Sequence, residues 1–402
     1  MPFDPAVVRA SFAVVERRAD HLTKYFYAHL FTNNPGVEAL FPARLAEQRD
    51  RLFAALTQLV LRLEDPEKLT GYLAALGRDH RKFQAAPEHY PAVGASLIAA
   101  LKHFSGNAWT PEVEQAWAEA YGVIARAMID AAAAVPADTP RWWDAEVTDV
   151  RRAAPDLAVL TLRPDRPYPF TAGQYLTVSS ERHPQVWRPY SPACAPRPDN
   201  TLELHVRRVP DGLLSTALVN DVRPGETLRL GPPLGEAVLA EGSERPLLMV
   251  AAGTGWAQIK ALLEQLVRDG GRSATVFVAA RDDHDQYDLA ALHDLVKEHA
   301  WLHAVLSAPA PGASRGAAIR LLRDGLRDYG DCAGHDIHLS GPPDLAPALT
   351  AQLLDQHADP ELVRHDPVTA TFNRSRPLTP AEWFLEERDV PWINRTELGP
   401  PT

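Results

Sequence analysis

Three sets of residues in this chain have types and spacings that could do chemistry. In the first third, His80 stands in GRDHRKF, with Tyr27, Phe41, Gln48 and Leu52 before it and Tyr90 after it. A neutral imidazole is a good metal ligand, and phenol and carboxamide groups can hydrogen-bond a polar guest. His21, His29, His89 and His103 share the region, and a histidine on a helix more often belongs to surface or core, so residue type alone does not select His80. In the middle of the chain, Arg188-Pro189-Tyr190-Ser191 ends a run with strand character. It offers a guanidinium suited to a pyrophosphate through paired hydrogen bonds, a flat ring and a hydroxyl. Further on, AAGTGWAQIKALLEQL sets Gly253, Thr254, Gly255 and Trp256 between strand and helix. Glycines there permit a tight turn and a close approach of backbone to a dinucleotide phosphate, although a lone G-x-G can be no more than a turn. The two cysteines, Cys194 and Cys332, can build neither a disulfide framework nor a zinc cluster, which fits a reducing compartment.

The elements that must position these groups change character twice. Residues 1–135 read as all helix: apolar residues recur at three- and four-residue spacing in SFAVVERRADHLTKYFYAHLF and RLFAALTQLVLRL, broken at NNPG, EDPEK, AAPEHYP and WTPEV. AAAAVPADTPRWW reads as a linker. Residues 144–240 carry short alternating segments, AEVTDVRR, LAVLTLRP, GQYLTVSS, TLELHVRRV and ETLRLGPP, which predict an antiparallel β-barrel with one helix, LLSTALVND. In residues 241–370 the strands PLLMVAAGTG, ATVFVAAR, LHAVLSAP and DIHLSGPP alternate with helices, which predicts a parallel α/β sheet. Residues 371–402 read as a polar tail. The expected fold is therefore multidomain: all-α, then antiparallel barrel, then α/β.

The chain has 402 residues, 46% hydrophobic and 23% charged, with a net charge of −11. That length suits two or three cores. An acidic surface repels nucleic acid and anionic lipid. The opening MPFDPAVVRA lacks a basic segment followed by an apolar run, and no stretch reaches eighteen apolar residues. A soluble cytoplasmic protein without integral membrane association is expected, acting on small molecules. No obligatory protein partner is evident.

Three segments in order resemble the ferredoxin-reductase superfamily. TAGQYL is similar to its P-G-Q-Y/F segment and contains Gln174 and Tyr175. RPYS is similar to its R-x-Y-[ST] flavin motif. DGLLST is similar to its G-x-[LMV]-S segment and contains Gly212, Leu214 and Ser215, where a helix N-terminus would face the pyrophosphate. HLSGPP is similar to the C-G-P segment beside the nicotinamide, with Ser340 in place of a common cysteine, then Gly341 and Pro342. The resemblance implies FAD and a nicotinamide dinucleotide. Asp282 and Asp283, after the next strand, would repel a 2′-phosphate, so NADH is favoured over NADPH.

YFYAHLFTNNPGVEALFP and the segments through AWAEAYGVIARAMI resemble the globin part of the flavohaemoglobin family, and the resemblance continues to about residue 370. It implies haem b bound through iron to His80, Phe41 and Leu52 against the porphyrin, Tyr27 and Gln48 as hydrogen-bonding groups on the ligand side, and Tyr90 on the proximal side. The implied activity is an NAD(P)H-dependent oxidoreductase, foremost a nitric oxide dioxygenase that forms nitrate. A reductase or peroxidase with another acceptor, or an oxygen or nitric oxide sensor, is the alternative. Three departures from the family stand out. Ala132 replaces the glutamate expected on the last globin helix, Asp79 replaces the frequent lysine before His80, and Val368 falls where an aromatic usually caps the flavin.

Overall fold

The computed structural model describes residues 3–42, 45–280, 286–308, 315–343 and 345–366. Asp282, Asp283, Val368 and the tail lie outside these. Six helices come first: α1 (Pro5–Glu16), α2 (Ala19–Asn33), α3 (Ala46–Arg62), α4 (Pro66–His80), α5 (Tyr90–Ser105) and α6 (Pro111–Ala133). Their starts follow from local chemistry. Asp4, Asp65 and Thr110 accept hydrogen bonds from first-turn amides, and a proline follows each within the first turn. The apolar faces of all six close on one core that includes Phe12, Leu22, Phe26, Leu73, Leu101 and Trp117.

Two glycines decide how closely α6 packs. A Cβ at Gly77 of α4 would stand 2.3 Å from the Met128 carbonyl oxygen, and one at Gly94 of α5 would stand 2.4 Å from the Tyr121 ring. Side chains at these positions would force the helices apart.

The second unit is a six-stranded antiparallel sheet built from β1 (Trp143–Ala154), β2 (Leu157–Pro164), β3 (Leu176–Ser180), β4 (His183–Tyr190), β5 (Leu202–Arg207) and β6 (Thr227–Leu230), with α7 (Leu213–Asn220) beside it. Its order is β4-β3-β6-β1-β2-β5. An antiparallel bridge between Pro192 and Leu204 joins the end of β4 to β5 and curls the sheet into a barrel. Inward residues such as Val147, Leu160, Leu176, Val178 and Leu204 fill it.

The third unit is a parallel sheet of β7 (Leu247–Ala252), β8 (Ala274–Ala279), β9 (Leu302–Ser307), β10 (Asp336–Ser340) and β11 (Val363–Arg364), in the order β11-β10-β7-β8-β9. Helices α8 (Trp256–Arg268), α9 (Leu289–Glu298), α10 (Arg315–Tyr329) and α11 (Leu345–Asp355) supply the connections. β7 is buried along its whole length, as a central parallel strand must be when helices cover both faces. Order reverses between β7 and β10, so their carboxyl ends frame the crevice where such sheets bind ligands. The all-α, antiparallel-barrel and α/β architecture is the one the sequence patterning predicts. Among the described residues no helix is long and apolar enough to cross a membrane.

Candidate cofactor sites

His80 is the last residue of α4, and its Nδ1 lies 2.8 Å from the Leu76 carbonyl oxygen. The carbonyl can only accept, so Nδ1 carries the proton and Nε2 keeps its lone pair. No described residue bonds Nε2. The imidazole is half-buried. Burial holds it below the ordinary histidine range, in its neutral form. Among the described residues no group of three or more His, Cys, Asp or Glu could hold a metal ion. A metal at Nε2 would therefore need its remaining ligands from a bound group, as a porphyrin provides.

Half-buried apolar side chains, Leu45, Leu52, Phe53, Leu76 and Val93 among them, pack on the same core without being covered by it. Tyr27 and Phe41 meet edge to face with ring centroids 5.5 Å apart, and Phe31 lies 5.4 Å from Phe41. Among the described residues the Tyr27 hydroxyl reaches only the Gln48 backbone carbonyl, at 3.4 Å, and burial raises its pKa. Tyr27, Phe41, Gln48 and Leu52 are thus gathered where α2, the turn after it and α3 meet. Tyr90 begins α5, is half-buried, and its carbonyl accepts a 2.6 Å hydrogen bond from the Tyr121 hydroxyl. Ala132 has no side-chain acceptor, and Asp130 is exposed.

In the barrel, Arg188, Pro189 and Tyr190 end β4, opposite Val178, Thr177 and Leu176 of β3, and Ser191 follows. Tyr190 is half-buried, and burial raises the pKa of its hydroxyl. The Arg188 guanidinium pairs with Glu47 of α3 and with the Trp187 carbonyl. The flavin-motif arginine therefore also binds the helical unit, a contact with no local sequence signal. Several motif residues hold the local backbone. Gln174 accepts from Thr171 N and donates to the Gly235 carbonyl. Leu214 is buried in the barrel core, and the Ser215 hydroxyl accepts from Val209 N. The N-terminal turn of α7, after Gly212, borders a cavity of about 390 Å³ lined also by His183, Asp211, Thr216 and Asp221.

The dinucleotide motifs come together at the crevice. A Cβ on Gly255 would lie 2.2 Å from the Ser340 carbonyl oxygen and 2.6 Å from Gly341 N, so only glycine lets the turn after β7 nest against the end of β10. Gly253 adopts φ +57°, the left-handed region glycine enters without strain. Thr254 and Pro342 flank this contact. The Trp256 indole is buried and donates to Asp288 at 2.9 Å, so it anchors α8. Nearby, Gln258 bridges the Gly173 carbonyl and Asp366, whose carboxyl burial raises to about 7.

A Globin family profile matches residues 24–128, and a profile for the oxidoreductase FAD-binding domain matches residues 144–238. The chain is similar to the flavohemoprotein of Deinococcus radiodurans, 31% identical over 299 residues, covering 69% of this chain and 73% of that protein. It is similar to the flavohemoprotein of Chromobacterium violaceum, 27% identical over 367 residues, covering 84% and 90%. Among solved structures, the flavohemoglobin of Malassezia yamatoensis with bound FAD and heme superposes with a TM-score of 0.73 at 18% identity, covering 90% of this chain and 97% of that one.

Proposed function

The chain belongs to the flavohemoprotein family, and on that premise we propose that it passes electrons from NADH through FAD to haem b and turns nitric oxide and oxygen into nitrate. The bound groups would supply hydride acceptance, one-electron transfer and oxygen binding. The chain's own residues supply position and polarity. His80 would hold the iron through Nε2, its ring oriented by the Leu76 carbonyl. Phe41 and Leu52 would pack on the porphyrin. The Tyr27 hydroxyl, engaged among the described residues by one long contact, would donate toward negative charge on the ligand side, with Gln48 beside it. Tyr190 would lie on the flavin ring, Arg188 would share its guanidinium between Glu47 and a phosphate, and Ser191 would sit by the hydride-accepting nitrogen. Gly253 and Gly255 would admit the dinucleotide phosphates, with Ser340 and Gly341 at the nicotinamide.

The observation that carries this reading is the His80 imidazole, its Nδ1 proton fixed on the Leu76 carbonyl and its Nε2 unbonded among the described residues, in the helical unit that gathers Tyr27, Phe41, Gln48 and Leu52. Peroxidase chemistry is disfavoured, because the histidine's partner is a neutral carbonyl instead of a carboxylate that would strengthen donation to iron. The test is NADH consumption in air with and without nitric oxide, with nitrate as the assayed product. Acceleration with nitrate formation supports the reading, and unchanged consumption without nitrate refutes it.

A further inference from the structure

Lys82 is a lysine buried where two domains meet, with only 4% of its surface exposed. It follows His80 by two residues and leaves the end of α4 toward the barrel. Its ammonium donates to Asp79 and, at 2.8 Å, to the Thr177 hydroxyl on β3. It lies 5.0 Å from the Phe83 ring centre and 5.2 Å from that of Trp187 on β4, within cation–π range of both. The rings continue in both directions. Phe83 meets the His80 imidazole edge-on at 5.8 Å and Trp187 at 6.4 Å. Trp187 is directly followed by the Arg188-Pro189-Tyr190 segment.

We propose that Lys82 is a positioning residue that fixes the spacing between the haem and flavin sites by pinning the Phe83–Trp187 ring contact. The proposal rests on the function read above. Removing an ammonium from water is expensive unless every proton is bonded, and one carboxylate, one hydroxyl and two ring faces meet that demand only while the two domains are docked. Undocking the barrel takes away Thr177 and Trp187 together. The charge thus favours one interdomain geometry more sharply than an apolar contact would, since apolar packing is not directional. The Asp79 departure gains a purpose: the acceptor stands before the histidine and the cation after it, both on the helix end that carries the iron ligand. The transfer this spacing serves moves the two electrons of one hydride singly, each reducing one ferric iron, with no bond forming between domains and the proton released to water.

The test uses the full chain loaded with haem and FAD. Lys82→Met keeps the length of the stem and removes the charge. Asp79→Asn/Lys82→Met also removes the carboxylate that would otherwise stay buried alone, and remains informative if the single variant does not fold. Flavin-to-haem electron transfer is followed anaerobically by stopped flow, beside NADH-to-ferricyanide activity, which needs only the reductase half. Trypsin cleavage of the 134–142 linker gives a readout independent of activity. The expected result is a several-fold or larger fall in interdomain transfer, with ferricyanide activity retained and the linker cut faster. Wild-type transfer and cleavage rates in both variants would overturn the proposal. Parallel loss of ferricyanide activity would overturn it too, by showing a general structural role. Absence of a haem or flavin spectrum in the wild type would instead refute the function on which it rests.

Discussion

Adding one methyl group at Gly77 should loosen haem binding, whereas adding one at Gly71 on the same helix should not. At Gly77 the new Cβ would stand 2.3 Å from the Met128 carbonyl oxygen and 2.8 Å from its Cα. Both are backbone atoms of α6 and cannot rotate away, so α4 and α6 must part by about 1 Å to regain ordinary contact. Overpacking of this kind costs about 1–3 kcal/mol, offset by at most about 1 kcal/mol from alanine's better helix propensity. The larger consequence falls one turn later, at His80. Its imidazole moves with the helix, and disturbing what orients a metal ligand typically costs about ten- to a hundredfold in affinity, so haem affinity should drop at least about tenfold. At Gly71 nothing lies within 4 Å. Gly71→Ala should therefore gain about 0.5–1 kcal/mol and leave haem affinity alone. Haemin titration of the apoprotein at the Soret band, paired with urea unfolding, measures both. Equal affinity and stability in Gly77→Ala, or a matching loss in Gly71→Ala, would refute this account of α4–α6 packing.

Arg188→Ala should lower FAD affinity by about ten- to a hundredfold through loss of a charge-assisted phosphate contact; full flavin retention on extended dialysis would place the phosphate elsewhere. Tyr27→Phe should slow nitric-oxide-dependent nitrate formation by about tenfold to a thousandfold, and a silent substitution would remove Tyr27 from the chemistry. Asp366 is held at about 7 by burial, far above its unfolded value. Its contribution to stability is therefore fully present below about pH 4 and is lost as pH rises to about 7, so Asp366→Asn should stabilise the protein at pH 8 by about 2–4 kcal/mol and flatten that slope. Denaturant unfolding across pH 4–8 checks it, and an unchanged slope would show the carboxyl to be solvated.

Local pattern reveals the three architectures because periodicity and glycine-proline punctuation act within a few residues. The helix over LLSTALVND and the strand–turn–helix at Gly253 are of this kind. β4 was harder, since Pro184 and Pro189 interrupt its alternation and Gln185, Arg188 and Trp187 face another domain. The order β11-β10-β7-β8-β9 is not written locally either, because it depends on which crossovers pack. Of the site, the tautomer of His80 follows from a helix-terminal i−4 carbonyl and could be anticipated once the helix end is known. The Glu47–Arg188 pair, the Arg51 donor to the Trp187 carbonyl and the Lys82–Thr177 contact join residues more than ninety positions apart and leave no local trace. Gln174, Leu214, Ser215 and Trp256, which the resemblance places at a cofactor, also shape the loops and helices that carry the motifs. Tools of resemblance find the segment; packing decides which atoms in it face outward.

Electrons from NADH should reach an iron held by His80 by way of the flavin. Mixing the ferric, FAD-loaded protein anaerobically with NADH while recording flavin and Soret absorbance tests it most directly. Bleaching of the flavin first, followed by conversion of the haem to the ferrous spectrum, is the predicted result. A flavin that becomes fully reduced beside a haem that stays ferric would contradict it.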